Sequence, residues 1–514
     1  MNDTVHASLP GPLTLIFGLG ETGLAAARWC LRQGWPLRVA DTRAQPAGLE
    51  ALQSAGVESG LLRDVRLGDG VFDHDVLDGV GQLVLSPGLS PLEPRLAALL
   101  AEARVCGIEV VGEIELFARA LAELRERTGY APGVVAVTGT NGKTTVTRLT
   151  RKMLEEAGIS AREAGNVSPA ALDALMAALD EDSLPKAWVL ELSSFQLETT
   201  QTLVPDAAVI MNLTQDHLDW HGSFDAYVAA KARLYGMSRI KIVNREDPAV
   251  LALVDDVAAQ DVRTFGYDLP ACLGDTGLES EHGVRWLAVR DETDFDLPAP
   301  ATGRRRKAGE EASVLRAEGR LSRLMPLDAL KLRGHHHALN VQAALLLART
   351  QGAGWGSLLR SAREYTGEPH RTEFVRNVGG VDFVNDSKGT NVGATVAALD
   401  SEDRQVVLIL GGEGKGQDFA PLLRPVKARV RHLVFIGRDG ALIERALAAS
   451  SVPAGHAASM AEAVATAFAA AQPGDVVLLS PACASFDMFS GYPQRGRVFA
   501  EAVQELALER GEVA

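Results

Sequence analysis

The stretch Val134-Val-Ala-Val-Thr-Gly-Thr-Asn-Gly-Lys-Thr-Thr145 decides how this 514-residue chain is read. Four consecutive apolar residues, Val134 to Val137, predict a strand buried on both faces of a parallel sheet. The turn Thr138-Gly139-Thr140-Asn141-Gly142 follows, and from Lys143 onward Val146, Leu149, Met153 and Leu154 recur at helical spacing. A strand that runs through a glycine-bearing turn into a helix N-terminus is an anion cradle, because backbone N–H groups and the helix dipole converge there. Lys143 adds positive charge, and the hydroxyl of Thr144 or Thr145 can ligate Mg²⁺. The stretch therefore implies a nucleoside triphosphate site. The common form of this loop has a glycine six residues before the lysine. Here that residue is Val137, and Gly139 and Gly142 bracket a shorter turn.

Upstream lies a second phosphate-type turn. Leu13 to Phe17 predicts a strand, Gly18-Leu19-Gly20-Glu21-Thr22-Gly23 opens a helix, and a strand over Leu37 to Ala40 ends in Asp41, placed for a ribose hydroxyl. Such glycines let a backbone approach a diphosphate closely, which suits any nucleotide diphosphate as well as a dinucleotide. A third strand, Gln82 to Leu85, ends in Ser86-Pro87-Gly88. Gly112 to Phe117 starts the helix leading out of this region. Two nucleotide turns in one chain require two substrates, or a substrate and a cofactor.

Composition sets limits around these motifs. The length suggests about three domains. An apolar share of 46%, 50 glycines and few aromatics fit a soluble α/β protein with many strand-to-helix turns. With 51 Lys and Arg against 66 Asp and Glu, the net charge of −15 argues against a nucleic-acid or anionic-membrane binder. Cys30, Cys106, Cys272 and Cys483 are far apart, which fits a reducing cytoplasm. Neither a signal peptide nor a membrane span is expected.

Beyond the phosphate turn, Gly165 to Pro169 forms a turn, and Ala187 to Glu191 predicts a strand that delivers a carboxylate to the sheet edge, the usual place of a Mg²⁺ ligand beside such a loop. Ala207 to Met211 is the next strand, followed by Asn212-Leu-Thr-Gln-Asp-His217. Phe224, Tyr227, Val228, Lys231 and Leu234 fall at helical spacing, with Lys231 on or near the apolar face. A cationic lysine would repel Mg²⁺, whereas a lysine converted by CO₂ to a carbamate could bind it. Between 268 and 325, Pro298, Pro300, Gly303, the run Arg304 to Lys307 and Glu310-Glu311 predict a mobile surface insertion. His335-His-His337 cannot converge easily on one ion. Gly367 to Arg371 reads as a hinge. After it, Phe374 to Val378 and Val381 to Val384 predict a hairpin around Gly379-Gly380. Strands at Val406 to Leu410, Leu433 to Ile436 and Val476 to Leu479 predict another Rossmann-like sheet.

Thr138-Gly-Thr-Asn-Gly-Lys-Thr-Thr145, Glu191-Leu-Ser-Ser-Phe-Gln-Leu-Glu198, Asn212 to His217 and Tyr227-Val-Ala-Ala-Lys231 together resemble the Mur ligases of peptidoglycan synthesis. That resemblance implies three α/β domains: a Rossmann-like nucleotide-sugar domain over 1–112, a P-loop ATPase domain over 113–367 and a Rossmann-like amino-acid domain over 368–514. It also implies ATP with two Mg²⁺ ions served by Lys143, Thr144, Glu191, His217 and carbamylated Lys231. Asn340, Arg371 and Asp386 map to further ATP contacts, with His337 standing where the family carries an asparagine. Asn385-Asp-Ser-Lys-Gly-Thr-Asn391 and Leu479-Ser-Pro-Ala-Cys-Ala-Ser485 resemble the D-glutamate-adding branch of the family. They imply a D-glutamate site at Thr390, Lys415, Ser485 and Tyr492, the last replacing a phenylalanine. The uridine diphosphate sugar maps to Gly18–Gly23, Asp41-Thr42-Arg43, Ser86-Pro87-Gly88, Asn166, Ser193 and Gln196. The implied substrates are UDP-N-acetylmuramoyl-L-alanine, D-glutamate and ATP, acted on by a cytoplasmic monomer.

Rival readings account for less. A nicotinamide oxidoreductase leaves the P-loop and Glu191 unexplained. A nucleotide-gated switch needs neither the second phosphate turn nor the third domain. A folate-polyglutamylating ligase has no need of the N-terminal diphosphate turn.

Overall fold

Residues 13–291, 315–332 and 334–512 are described by the computed structural model, which builds four sheets in chain order. In the first, Leu62–Leu67, Leu37–Asp41, Leu13–Phe17, Val80–Leu85 and Glu109–Val111 lie side by side, all parallel. Chain order reverses between Leu13–Phe17 and Val80–Leu85, so a crevice opens beyond their carboxyl ends. Gly18 and Ser86 meet there. Two of these five strands, Leu62–Leu67 and Glu109–Val111, were not expected from the sequence, and Val80–Leu85 is the fourth strand rather than the third.

The second sheet is also wholly parallel: Val262–Phe265, Ile240–Asn244, Ala207–Ile210, Gly133–Thr138, Ala187–Glu191 and Ala161–Gly165, in that spatial order. Gly133–Thr138 is central, which is why Val134 to Val137 must be apolar on both faces. Val135 and Val137 pack under the helix Lys143–Glu156 with His335–Thr350 and Trp355–Glu364, while Val134 and Ala136 pack toward Glu113–Thr128 and Ala171–Asp180. Glu113 and Glu115 at the start of that connecting helix are buried. Glu113 accepts from the Leu172 amide, and Glu115 accepts from the Gln201 and Thr202 amides, so two buried acidic side chains fasten the helix to the second sheet's flank.

The expectation of a mobile insertion over 268–325 is corrected in part. Thr276–Glu281, Val284–Asp291 and Arg320–Pro326 form an antiparallel three-stranded sheet. Leu278, Leu287 and Met325 on one face join the core of the second sheet, and burying them outweighs the entropy of ordering the strands. The basic run Arg304 to Lys307 lies outside the described residues.

The last sheet runs Glu373–Val378, Val381–Asn385, Val476–Leu479, Val406–Gly411, Val430–Ile436 and Ala454–His456. Only Glu373–Val378 is antiparallel, closing the expected hairpin. The loops leaving Asn385, Gly411 and Leu479 emerge at one edge, where ligands bind in open α/β sheets.

Candidate active site

A cleft of about 570 Å³ joins the carboxyl edges of the second and last sheets. From the second sheet it is lined by Thr140, Asn141, Gly142, Lys143, Thr144, Asn166, Glu191, Asp216 and His217, and from the last by Arg371, Lys388, Thr390, Lys415 and Tyr492.

The turn that opens the helix Lys143–Glu156 is fixed by its neighbours. The Thr140 amide donates to the Asn212 carbonyl (2.8 Å) and the Asn141 amide to Asn212 Oδ1 (2.8 Å). Gly142 takes φ +84°, and a Cβ there would stand 2.7 Å from Asn340 Oδ1, so only glycine fits. No side chain caps the helix, which leaves its first amides for an anion. Lys143 Nζ lies across the turn, donating to the carbonyls of Gly139 and Thr140 at 2.9 Å each.

Glu191 is 2% exposed. Its Oε1 accepts from Asn166 Nδ2 at 2.8 Å, while the buried Oε2 has no partner. His217, at φ +53°, presents its ring edge to Phe195, and Asp216 lies beside it. Lys231 sits one layer deeper, its Nζ donating to Thr138 Oγ1 (3.1 Å) and the Gly139 carbonyl (3.0 Å). Burial pushes its ammonium well below the usual lysine range.

The last sheet reaches directly into this constellation. Arg371 Nη2 donates to Thr144 Oγ1 at 2.6 Å. Asn391 Nδ2 donates to Asn141 Oδ1 and to Asp216 Oδ2, both at 3.3 Å. Arg148 and Glu368 pair beside the hinge. Lys388 Nζ lies 4.1 Å above the Tyr492 ring, and burial pushes it down to about 8. The sequence reading assigned roles to Arg371, Thr144 and Asn141 but not to Asp216, Arg148, Glu368, Lys388 or Asn391. Asp216, Lys388 and Asn391 lie inside the motifs that carry the family resemblance, and Glu368 inside the stretch Gly367 to Arg371; Arg148 lies in none.

Over 515 aligned residues, 100% of both chains, this chain is 61% identical to the UDP-N-acetylmuramoylalanine–D-glutamate ligase of Bordetella bronchiseptica. The protein of the same name from Ralstonia nicotianae is 52% identical over 507 residues, 99% of each. The chain belongs to the Mur ligase family. Residues 13–112 match the description "Mur ligase MurD-like, N-terminal domain", 137–305 "Mur ligase middle domain" and 370–483 "Mur ligase, glutamate ligase domain". At the level of fold, the MurF ligase of Thermotoga maritima in complex with ADP superposes with a TM-score of 0.56, covering 96% of this chain and 98% of its own at 14% identity. The UDP-N-acetylmuramate-alanine ligase of the same organism gives 0.52, with 96% and 99% covered at 17% identity.

In this Mur ligase several expected contact residues stand behind the cleft wall. Asn340 is buried under Gly142, its Nδ2 3.2 Å from His337 Nδ1. Burial holds His337 well below the usual imidazole range, so the neutral ring can accept that bond. The histidine thus positions Asn340 where the family motif has an asparagine. Asp386 is buried too, accepting from Ser480 Oγ (2.7 Å) and the Thr372 amide, and desolvation pushes it up to about 7. Ser485 is 2% exposed and its carbonyl caps the following turn. Ser193 and Gln196, expected at the nucleotide-sugar, bond to each other as a capping box of the helix Ser194–Glu198. That S-x-x-Q pattern was legible as a cap. Asn166 orients Glu191.

In the N-terminal crevice Asp41 is committed to the protein. One oxygen accepts from the Leu19 amide (2.7 Å), and both accept from Arg43. It holds the glycine turn from behind. Ser86 Oγ donates to the Gly18 carbonyl (2.7 Å). Gly20, Glu21, Thr42 and Gly88 are exposed, Thr22 and Pro87 half-buried, and Gly23 packs against Gly18. Among the described residues, no cluster of His, Cys, Asp and Glu is grouped to hold a metal by protein side chains alone.

Proposed function

We infer that this chain joins D-glutamate to the L-alanyl carboxylate of UDP-N-acetylmuramoyl-L-alanine, a step of peptidoglycan synthesis, and drives the bond with ATP through an acyl phosphate. Both ionic reactants resist condensation in water, because hydroxide is a poor leaving group. Phosphorylating the carboxylate replaces it with phosphate. The observation that carries this reading is the shared cleft: the phosphate cradle and the lysine-bearing loops of the last sheet line one cavity.

Lys143 would leave the Gly139 and Thr140 carbonyls for the transferring phosphoryl, where charge develops. Thr144 and Glu191, with its unpaired Oε2, offer the oxygen ligands that suit Mg²⁺, and His217 lines the same cleft. We place two ions there, with Lys231 as a carbamate completing the set. Bound, they would neutralise charge on the phosphates. Arg371 would contact the nucleotide, and Thr390, Lys415 and Tyr492 the D-glutamate. Asn340, Asp386 and Ser485 support these groups from behind. Gly18 to Gly23 and Ser86 to Gly88 would take the uridine diphosphate.

The three domains divide near 112 and 367. The enzyme acts as a cytoplasmic monomer on small molecules, with neither nucleic acid nor membrane as partner. Its charge of −15 argues against nucleic acid or an anionic membrane surface as partner, and among the described residues no helix is long and apolar enough to cross a membrane. Phosphate release from ATP should require both UDP-N-acetylmuramoyl-L-alanine and D-glutamate. Release that proceeds equally well with NAD-type ligands, folates or no amino acid would overturn the reading.

A further inference from the structure

Among the described residues, the mechanism leaves one fully buried cation without a task. Arg495, on the first turn of the helix Tyr492–Glu509, is 1% exposed. Its Nη2 donates to the carbonyls of Ser387 (2.8 Å) and Cys483 (3.1 Å), its Nη1 to those of Cys483 (3.1 Å) and Ala484 (3.4 Å), and its Nε to Ser387 Oγ (3.1 Å). These acceptors belong to two separate turns. Ser387 opens the turn that carries Lys388 and Thr390, and Cys483 and Ala484 belong to the turn that carries Ser485.

The ties extend further. Ser387 Oγ donates to the Tyr492 carbonyl (2.8 Å), fixing the helix start to the first turn. Ala484 and Glu413 exchange both backbone hydrogen bonds at 2.9 Å, which hangs the Lys415 loop on the second turn. Ala482 and Lys415 both hold positive φ, at 58° and 50°. Such backbone persists only where its surroundings over-determine it. A planar guanidinium can bridge two turns because its donors diverge in a fixed fork, and an ammonium cannot copy that span.

We propose that Arg495 is the positioning residue of the amino-acid site, setting the separation between the Lys388–Thr390 turn and the Ser485 turn and, through them, the placement of Lys415 and Tyr492. This rests on the D-glutamate reading of those residues. Arg495 touches no reactant in this scheme. It acts by holding the loops that do.

Arg495→Lys and the milder Ser387→Ala test it. Positioning predicts that KM for D-glutamate rises about ten-fold in Arg495→Lys and about three-fold in Ser387→Ala, while KM for ATP and for the nucleotide-sugar stays within about two-fold. A merely structural role would instead lower the active fraction, so that kcat falls with every KM unchanged. That outcome, or a uniform rise of all three KM values, overturns the proposal. Should Arg495→Lys not fold, as judged by thermal unfolding, the KM split in Ser387→Ala decides alone. Hydrogen exchange separates this proposal from the substrate reading beneath it. Amides of 387–390 and 482–485 should exchange faster in either folded variant. Unchanged exchange sinks the positioning role whatever the amino acid is, whereas faster exchange in an enzyme whose wild type does not saturate with D-glutamate sinks only the substrate assignment.

Discussion

Lys143→Ala should lower kcat for phosphate release by at least ~10²-fold, the scale of one lost transition-state charge contact, with the melting temperature nearly unchanged. Its ammonium is held only by the carbonyls of its own turn, so near-normal turnover would refute the cradle. Lys231→Ala should abolish activity as well, but for a different reason, since the anion is what is missing. A short carboxylic acid such as formate should then restore part of the rate, and full activity without added acid would refute carbamylation. At this scale the sequence displayed residue types better than orientations. Lys143, Thr144, Glu191 and His217 line one cleft because each ends a strand or opens a helix at the same sheet edge. Asn340, Asp386 and Ser485 belong to equally plain motifs, yet all three are buried, and the side chains of Asn340 and Asp386 bond to buried neighbours. Asp41 has the spacing from the glycines that suits a ribose ligand. Only the Leu19 amide and Arg43, brought to it by the fold, reveal its other commitment.

Several of the strands legible in the sequence are buried on both faces. Leu13–Phe17, Gly133–Thr138, Val406–Gly411 and Val476–Leu479 are runs of apolar residues that no amphipathic pattern interrupts. Leu62–Leu67 and Ala454–His456 were missed because they are edge strands, half-exposed, with charged or small residues and little apolar periodicity. Thr276–Glu281 and its two partners were hidden for a related reason: one face is polar, and the buried Leu278, Leu287 and Met325 are scattered through a charged segment. The helix Glu113–Thr128 gives a prediction of its own. Glu113 is buried, and desolvation first, then Asp173 and Glu21, push its carboxyl from 4.5 up to about 8. The folded state therefore keeps a proton that the unfolded chain gives up, and the stability it contributes is complete below pH 4.5 and drains away as pH rises toward about 8. Glu113→Gln keeps the acceptor for the Leu172 amide and removes the titration. Between pH 5 and 8 the wild type should lose stability relative to this variant by about 1.4 kcal/mol per pH unit, read from denaturant unfolding. Parallel curves would mean that Glu113 is ionised at neutral pH.

Over the whole molecule, the last sheet must meet the P-loop sheet before an amine can reach an activated carboxylate, and the contacts Arg371–Thr144 and Asn391–Asn141 show which surfaces meet. Lys415 is exposed on a loop of the last sheet, so Lys415→Ala should raise KM for D-glutamate far more than KM for ATP or the nucleotide-sugar in steady-state assays. Equal rises would place Lys415 on the nucleotide instead. L-glutamate should be a poor substrate, because inversion at Cα swings the amine away when both carboxylates are anchored. Equal rates with L-glutamate would assign the chain a different amino acid while leaving the ligase chemistry intact. The small antiparallel sheet stands apart from all this traffic. Asp291 and Arg320 are register partners on adjacent strands about 5 Å apart, and just before Arg320 the buried Arg316 pairs with Asp275. None of the cleft's lining residues belongs to this sheet. A folded cargo domain put in place of the whole segment between Asp291 and Arg320 would remove the Arg316–Asp275 pair and leave Asp275 buried and uncompensated, so Leu315 to Gly319 must stay in any such graft. With that pair kept, a fluorescent reporter carried by this sheet would sit away from the catalytic cleft.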